Sequence, residues 1–370
     1  MSNPRILILG GRGRIGSRVA ADVLTHTSAH ITVTGRANQA VLPVHPQDHP
    51  RLQYLTLNLA DRPNLIKAIA QADLVVHCAG PFRQRDTSVL ETCIAQGVNY
   101  VDVSDDRVFT QASLRHADAA RTAQITAVIN TGVFPGISNS MVRQGIEQLD
   151  AAEEVHLRYV VAGSGGAGVT VMRTTFLGLQ HAFDAWIDHH WQPIKPYTGR
   201  ETIEFPPPFG KNNVYWFEMP ESLTLAQTFP LKTVTTKFGT VPDFYNRLTW
   251  LTAHAFTNVL MQQSWVVEGL AQISYRMTDI SDRFSGIGVA MRVDIKGQKN
   301  QRSAHYTSSF FHNNTVVAAG IGTGSICQRL VTNQLNPPGV FSVEQILPTA
   351  VFEDLLASRS ITLQKTLEVF

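Results

Sequence analysis

The sequence predicts an α/β protein: an N-terminal Rossmann domain with a parallel sheet, plus an inserted α+β domain with an open, mostly antiparallel sheet. Three observations carry this. Short β-branched runs alternate with helical patterns from residue 5 to about residue 130, a glycine cluster follows the first of those runs, and the pattern breaks at Gly132-Val-Phe-Pro-Gly136.

Arg5–Leu9 is the first strand, and Ile15, Val19, Val23 and Leu24 then recur at helical spacing. Ile31–Thr34, Leu52–Leu57, Leu74–Cys78, Tyr100–Val103 and Ala127–Asn130 supply the later strands. Asp61 ahead of Pro63 and the run Leu65–Ile69 mark a capped helix start. Residues 40–50 carry Pro43, Pro46 and Pro50 and read as a surface connection. His45, Asp48 and His49 lie there without ligand spacing on a regular element, so no metal is expected.

Beyond the break, a helix is expected over Ser138–Leu149 and a strand over Val155–Val161. Ile287–Ile295 and Ala304–Phe311 read as long strands joined around Gly297, followed by a helix over Thr315–Leu330. Ser342 is placed as the cap of a helix near Val343–Leu356. These elements divide the chain into a dinucleotide-binding domain, residues 1–136, and a substrate or interaction domain, residues 137–312, with 313–370 expected to pack back on the first.

Composition excludes several classes of function. Net charge is +2 and the basic residues are scattered, so no nucleic-acid surface is announced. No window reaches ~18 uninterrupted apolar residues, so no transmembrane span is expected. Three cysteines without CxxC spacing disfavour a disulfide framework or zinc knuckle and suit a cytoplasmic protein. All five tryptophans fall between Trp186 and Trp265. Leu248–Val267, with Trp250, Leu251, Phe256 and Trp265, could face lipid, but without lysines on the opposite face a buried helix is the preferred reading.

The chemistry concentrates in Gly10-Gly11-Arg12-Gly13-Arg14-Ile15-Gly16, between a strand and a helix. It reads as G-x-x-G-x-x-G from Gly10 or as G-x-G-x-x-G from Gly11. One glycine serves the tight turn, one lets backbone N–H groups reach a pyrophosphate, and one allows close helix–strand packing. The second strand ends Thr34-Gly35-Arg36, without the acid that would grip an NAD ribose. Arg36 instead suits a 2′-phosphate, so NADP(H) is expected ahead of NAD(H).

Asp73-Leu-Val-Val-His-Cys-Ala-Gly-Pro-Phe82, the run Val89–Gly97 and Asn99-Tyr-Val-Asp-Val-Ser104 resemble the saccharopine dehydrogenase-like NAD(P)-binding oxidoreductase family. The resemblance covers about the first 140 residues, including Gly132–Asn139, with a weaker echo at Gly339–Ile361. It implies an NAD(P)-dependent oxidoreductase in which Gly10, Gly13, Arg14, Ile15 and Gly16 hold the pyrophosphate and Arg36 the 2′-phosphate. Cys78, Ala79, Gly80 and Pro81 would line the nicotinamide side, with Asp102 and Ser104 at the end of the next strand.

Hydride transfer also needs a group that protonates or stabilises the atom beside the acceptor carbon. Asp102 ranks first for that role, then Tyr100 and Asp105, with His77 last because a lone histidine in an apolar strand is more often a core residue. Arg83 and Arg85 are candidates to grip an anionic substrate, and Cys78 reads as packing. The expected partner is a small, partly apolar molecule, reduced or oxidised at a C=N, C=C or C=O bond, and a homodimer is compatible with the sequence. The rival reading is a non-catalytic NADP-binding sensor or regulatory protein.

Overall fold

In the computed structural model of the chain, residues 3–36, 49–166, 168–255 and 263–370 are described. They form two compact units, residues 1–137 with 316–348 and residues 138–315 with 349–370.

The first unit is built on a seven-stranded sheet. Its strands are β1 (Arg5–Leu9), β2 (His30–Gly35), β3 (Leu52–Thr56), β4 (Leu74–His77), β5 (Asn99–Asp102), β6 (Thr126–Ile129) and, late in the chain, β15 (Gly339–Ser342). The order is β15-β6-β5-β4-β1-β2-β3, and every pairing is parallel. Order reverses at β1, with β2 on one side and β4 on the other, and such a switch point opens a crevice beyond the strand C-termini. The central strands are sealed on both faces: Ile6, Ile8, Leu9, Val75 and Val76 are almost wholly buried, as a sheet covered by helices requires.

Local signals explain the crossovers. Asp61 Oδ1 accepts the Asn64 N–H at 3.3 Å and Pro63 occupies the first turn, so the helix Arg62–Ala70 starts at the expected cap. Gly97, at φ +66°, ends the helix Ser88–Gln96 in the left-handed conformation that glycine adopts without penalty.

The second unit carries a nine-stranded sheet containing β7 (Ala151–Ala162), β8 (Phe183–Ile187), β9 (His190–Ile194), β10 (Glu201–Phe205), β11 (Gly210–Trp216), β12 (Thr233–Val241), β13 (Val289–Lys299), β14 (Arg302–His312) and β16 (Gln364–Val369). The path β10-β11-β12-β7-β13-β14-β16 is antiparallel except for the parallel pair β7 and β12. This is the open, mostly antiparallel sheet that the sequence predicts.

Several elements differ from the sequence expectation. The hairpin β13–β14 turns at Asn300-Gln301, both at positive φ, rather than around Gly297, which lies inside β13 where a Cβ would fall 2.0 Å from the Ala151 carbonyl oxygen. Pro348 splits the C-terminal helix into Val343–Ile346 and Thr349–Ala357. The expected docking of 313–370 on the first domain divides there: residues 316–348 group with it, while 349–370 join the second unit, because β16 pairs with β14 from Ala304–Val369 to Ser309–Gln364.

The stretch preferred as a buried helix is also corrected. Helices run over Phe244–Ala255 and Ser264–Ser285, and Trp250, Leu251 and Trp265 are 45%, 51% and 70% exposed; Phe256 lies outside the described residues. The inner face of the second helix is filled by Val266, Val267, Ala271 and Thr278, which leaves Trp265 on the outside. Among the described residues, no helix is long and apolar enough to cross a membrane.

Candidate active site

The site develops from the end of β1. Gly10 has φ +71°, and a Cβ there would lie 2.9 Å from both the nitrogen and Cα of Ala79, so the first turn rests directly on the segment that follows β4. The Cys78 N–H donates to the Leu9 carbonyl at 2.8 Å, which fixes the same approach. Gly16, in the first turn of the helix Arg14–His26, would place a Cβ 2.5 Å from the Gly10 carbonyl oxygen. Gly13 is the helix N-cap and brings no side chain to it. Of the two spacings legible in the sequence, Gly10, Gly13 and Gly16 thus take the turn, cap and packing roles, while Gly11 packs on Val33, where a Cβ would meet its side chain at 2.7 Å. A cradle that any Cβ would fill, at a helix N-terminus without a capping side chain, fits a pyrophosphate.

The other end of the crevice is defined by β2 and β3. Thr34 Oγ1 accepts the Gly10 N–H at 3.1 Å, and the Thr34 carbonyl accepts the Arg12 N–H at the same distance. The Arg12 side chain packs against Gly35, whose absent Cβ would lie 2.9 Å from Arg12 Cδ. Its guanidinium stands 4.2 Å from the centre of the Tyr54 ring. Arg36 follows Gly35 and is exposed. Arg12 and Arg36 therefore both belong to the end of β2. Tyr54, on β3, was missed because nothing local marks an aromatic residue as the platform for an arginine that precedes it by 42 residues.

At the ends of β4 and β5 a buried polar group forms. Residues two apart on a strand share a face, so Tyr100 and Asp102 point the same way, and His77 is the cross-strand partner of Asp102. His77 Nδ1 and the Tyr100 hydroxyl are 3.2 Å apart, both buried, and the imidazole packs edge-on against Phe82 with centroids 5.0 Å apart. Burial, with Arg85 nearby, drives the histidine pKa down to about 3, so it stays neutral. This is the core histidine expected from its setting. Tyr100 is enclosed in the same core, and burial raises its pKa well above the ordinary phenol value.

Asp102 is 0% exposed. Its Oδ1 accepts the N–H groups of Ser104 at 3.0 Å and Asn130 at 2.9 Å, and its carbonyl accepts Thr131 Oγ1 at 2.7 Å. The side chain pins the end of β5 to the turn after β6. Desolvation raises its pKa to about 6 despite those donors, while Oδ2 has no hydrogen-bond partner among the described residues. Ser104, also buried, accepts the Asp106 N–H at 3.2 Å and serves the turn that leads into the helix Arg107–Leu114, capped by Asp106. Asp105 is different: it is half-buried, and burial followed by the neighbouring Asp106 raises its pKa to about 6. Cys78 has a thiol pKa pushed up by burial and then by Asp102, which leaves it inert packing.

Arg85 donates from Nε to the Ala79 carbonyl at 2.9 Å, bracing Ala79-Gly80-Pro81. His49 accepts the Arg51 N–H at 3.3 Å; His45 and Asp48 lie outside the described residues, among which no three metal-ligating side chains cluster.

Residues 6–128 match the family model of the saccharopine dehydrogenase NADP binding domain. The match takes in about a third of the chain and makes residues 6–128 similar to the NADP-binding domains of that family. The fold of the whole chain resembles that of apo saccharopine dehydrogenase (L-Glu forming) from Saccharomyces cerevisiae, with a TM-score of 0.70 over 99% of this chain and 100% of the other at 12% identity. In sequence, 123 residues are 28% identical to the trans-acting enoyl reductase of Mycobacterium leprae, and 124 residues are 30% identical to a putative trans-acting enoyl reductase of Mycobacterium tuberculosis. Each alignment takes in 32% of this chain and 29% of the relative, so the chain covers less than a third of the length of these curated relatives.

The domain that the family model matches is completed by a segment distant in sequence. The helix Thr315–Val331 brings Gly320 against the backbone of Arg18 and Gly322 within 2.3 Å, at its Cβ position, of the Gly132 carbonyl oxygen. Thr323 donates to the Thr131 carbonyl at 3.2 Å. Glycines at alternate positions were the available signal for so close an approach.

Proposed function

We propose that the protein is an NADP(H)-dependent oxidoreductase that transfers hydride to or from a C=N, C=C or C=O bond of a small, partly apolar substrate. The observation that carries this is the Gly10–Gly16 cradle with Arg12 and Arg36 at the end of β2. Gly10, Gly13, Arg14, Ile15 and Gly16 would hold the pyrophosphate, Arg36 together with Arg12 the 2′-phosphate, and the Cys78–Pro81 segment the nicotinamide side. When bound, the cofactor supplies or accepts the hydride.

The chain's own contribution to proton transfer is assigned to Asp105. Asp102 and Tyr100 ranked ahead of it by position, yet Asp102 is wholly buried in backbone hydrogen bonds and Tyr100 is enclosed in the core. Asp105 is partly exposed and burial raises its pKa to about 6, so between about pH 4 and 6 it keeps a proton that an ordinary aspartate has lost. Asp102 and Ser104 fix the turn that presents it. The relatives' names supply the first substrates to try: enoyl compounds from the mycobacterial proteins and saccharopine from the yeast enzyme.

The test is NADPH oxidation by purified protein across a panel of enoyl thioesters, enones, imines and ketones. Turnover on any member supports the reading. Tight NADPH binding with no turnover on any of them would replace it with the NADP-sensing alternative.

A further inference from the structure

We propose that Tyr54 is a positioning residue for cofactor choice: its ring holds the Arg12 guanidinium in place before any cofactor arrives, and so sets the preference for NADP(H) over NAD(H). The inference rests on the assignment of Arg12 and Arg36 to the 2′-phosphate and adds the residue through which Arg12 acts. Arg12 is fixed along its whole length. Its N–H donates to the Thr34 carbonyl at 3.1 Å, and its stem lies on Gly35, where a Cβ would stand 3.0 Å from Arg12 Cβ and 2.9 Å from Cδ. The guanidinium then rests 4.2 Å from the centre of the Tyr54 ring. That ring is tied in turn: its hydroxyl donates to the Gly35 carbonyl at 3.2 Å and accepts the Thr56 hydroxyl at 3.3 Å. Tyr54 thus reaches from the edge strand β3 to the end of β2, and Gly35 both anchors the ring and makes room for the arginine stem.

Two physical consequences follow for a ligand that carries a phosphate. A long, flexible arginine loses rotamer freedom when a ligand immobilises it, and that loss subtracts from affinity. Here the side chain is already ordered in the free chain, so the phosphate meets a prepared group. An aromatic face also holds a cation without neutralising it, as a carboxylate would. Arg12 makes no ion pair among the described residues, so its full charge and its N–H donors remain for an anion. NADH lacks the 2′-phosphate and draws nothing from this arrangement. Tyr54 therefore acts on the difference between the two cofactors, whereas a residue that only packed β3 on β2 would affect both alike.

The experiment is fluorescence titration of the full chain with NADPH and with NADH, for the wild type, Y54L, Y54F, R12A and R12A/Y54L. Y54L is expected to weaken NADPH binding about fivefold to tenfold and to change NADH binding less than about twofold. Y54F keeps the ring and should stay within about twofold of the wild type for both cofactors. In the R12A background, Y54L should cost nothing further, because the two residues act as one unit. Circular dichroism melts establish that each variant folds, and Y54V, read in the same way, replaces Y54L if that variant melts early. Equal losses for NADPH and NADH in Y54L, a loss in Y54F as large as in Y54L, or a Y54L effect that persists in R12A overturns the proposal. If R12A shifts the cofactor preference and Y54L does not, the role of Tyr54 fails while the phosphate assignment of Arg12 stands. If R12A leaves the preference unchanged, that assignment fails, and the role of Tyr54 with it.

Discussion

A Cβ on Gly10 would stand 2.9 Å from the Cα of Ala79, so the turn after β1 and the segment after β4 are in backbone contact across the crevice. Two loops separated by some seventy residues of sequence become one surface because neither carries a side chain at the point of contact. Gly10→Ala must clash there and also adopt φ +71°, a conformation that costs a non-glycine residue about 1–3 kcal/mol. Gly16→Ala places its methyl group 2.5 Å from the Gly10 carbonyl oxygen and forces the helix away from the strand. Both variants are expected to weaken NADPH binding at least about tenfold in a fluorescence titration and to lower thermal stability, with Gly97→Ala as a control outside the crevice.

Arg36→Ala is expected to lower affinity for NADPH about tenfold to a hundredfold while leaving NADH affinity nearly unchanged, the range of a charge-assisted phosphate contact. Arg12→Ala should shift the preference in the same direction, since its guanidinium is held on Tyr54 beside the same strand end. Competitive titration with the two nucleotides measures both. An unchanged preference in both variants would contradict the NADP assignment.

If Asp105 gives up a proton in the reductive direction, kcat/KM should fall as pH rises through about 6. Asp105→Asn should remove that limb and lower the rate roughly 10²- to 10⁴-fold. Asp102 titrates in the same range, so Asp102→Asn serves as the discriminating control. It should retain the pH dependence.

Asp102 should announce itself in stability instead. Its folded pKa of about 6 lies above the ordinary carboxyl value of 3.8, so between those pH values the folded chain keeps a proton that the unfolded chain releases. The contribution of this group is therefore full at low pH and declines as pH rises through 6, by on the order of 3 kcal/mol. Urea unfolding of Asp102→Asn against wild type at pH 4.5 and pH 7 measures it. The variant should lose less stability across that interval.

The strand positions, the glycine turn and the capped crossover helix were legible in the sequence because each rests on interactions within a few residues: period-two burial, a φ that only glycine adopts freely, and the Asp61 carboxylate on its own helix. Gly10, Gly13 and Gly16 could be recognised on those grounds, as could the missing acid at Arg36. The burial of Tyr100 and Asp102 against the partial exposure of Asp105 could not be read there. It depends on which carboxylate is consumed by N–H groups of Asn130 and Ser104 and which is left half-exposed, and that is settled by the neighbouring strand and turn. The same holds for Arg12 on Tyr54, for residues 349–370 joining the second sheet, and for the outward apolar face of Ser264–Ser285. Local periodicity states that a helix has an apolar side. Only the packing of the whole unit decides how many of its sides find a core, and here one of them does not.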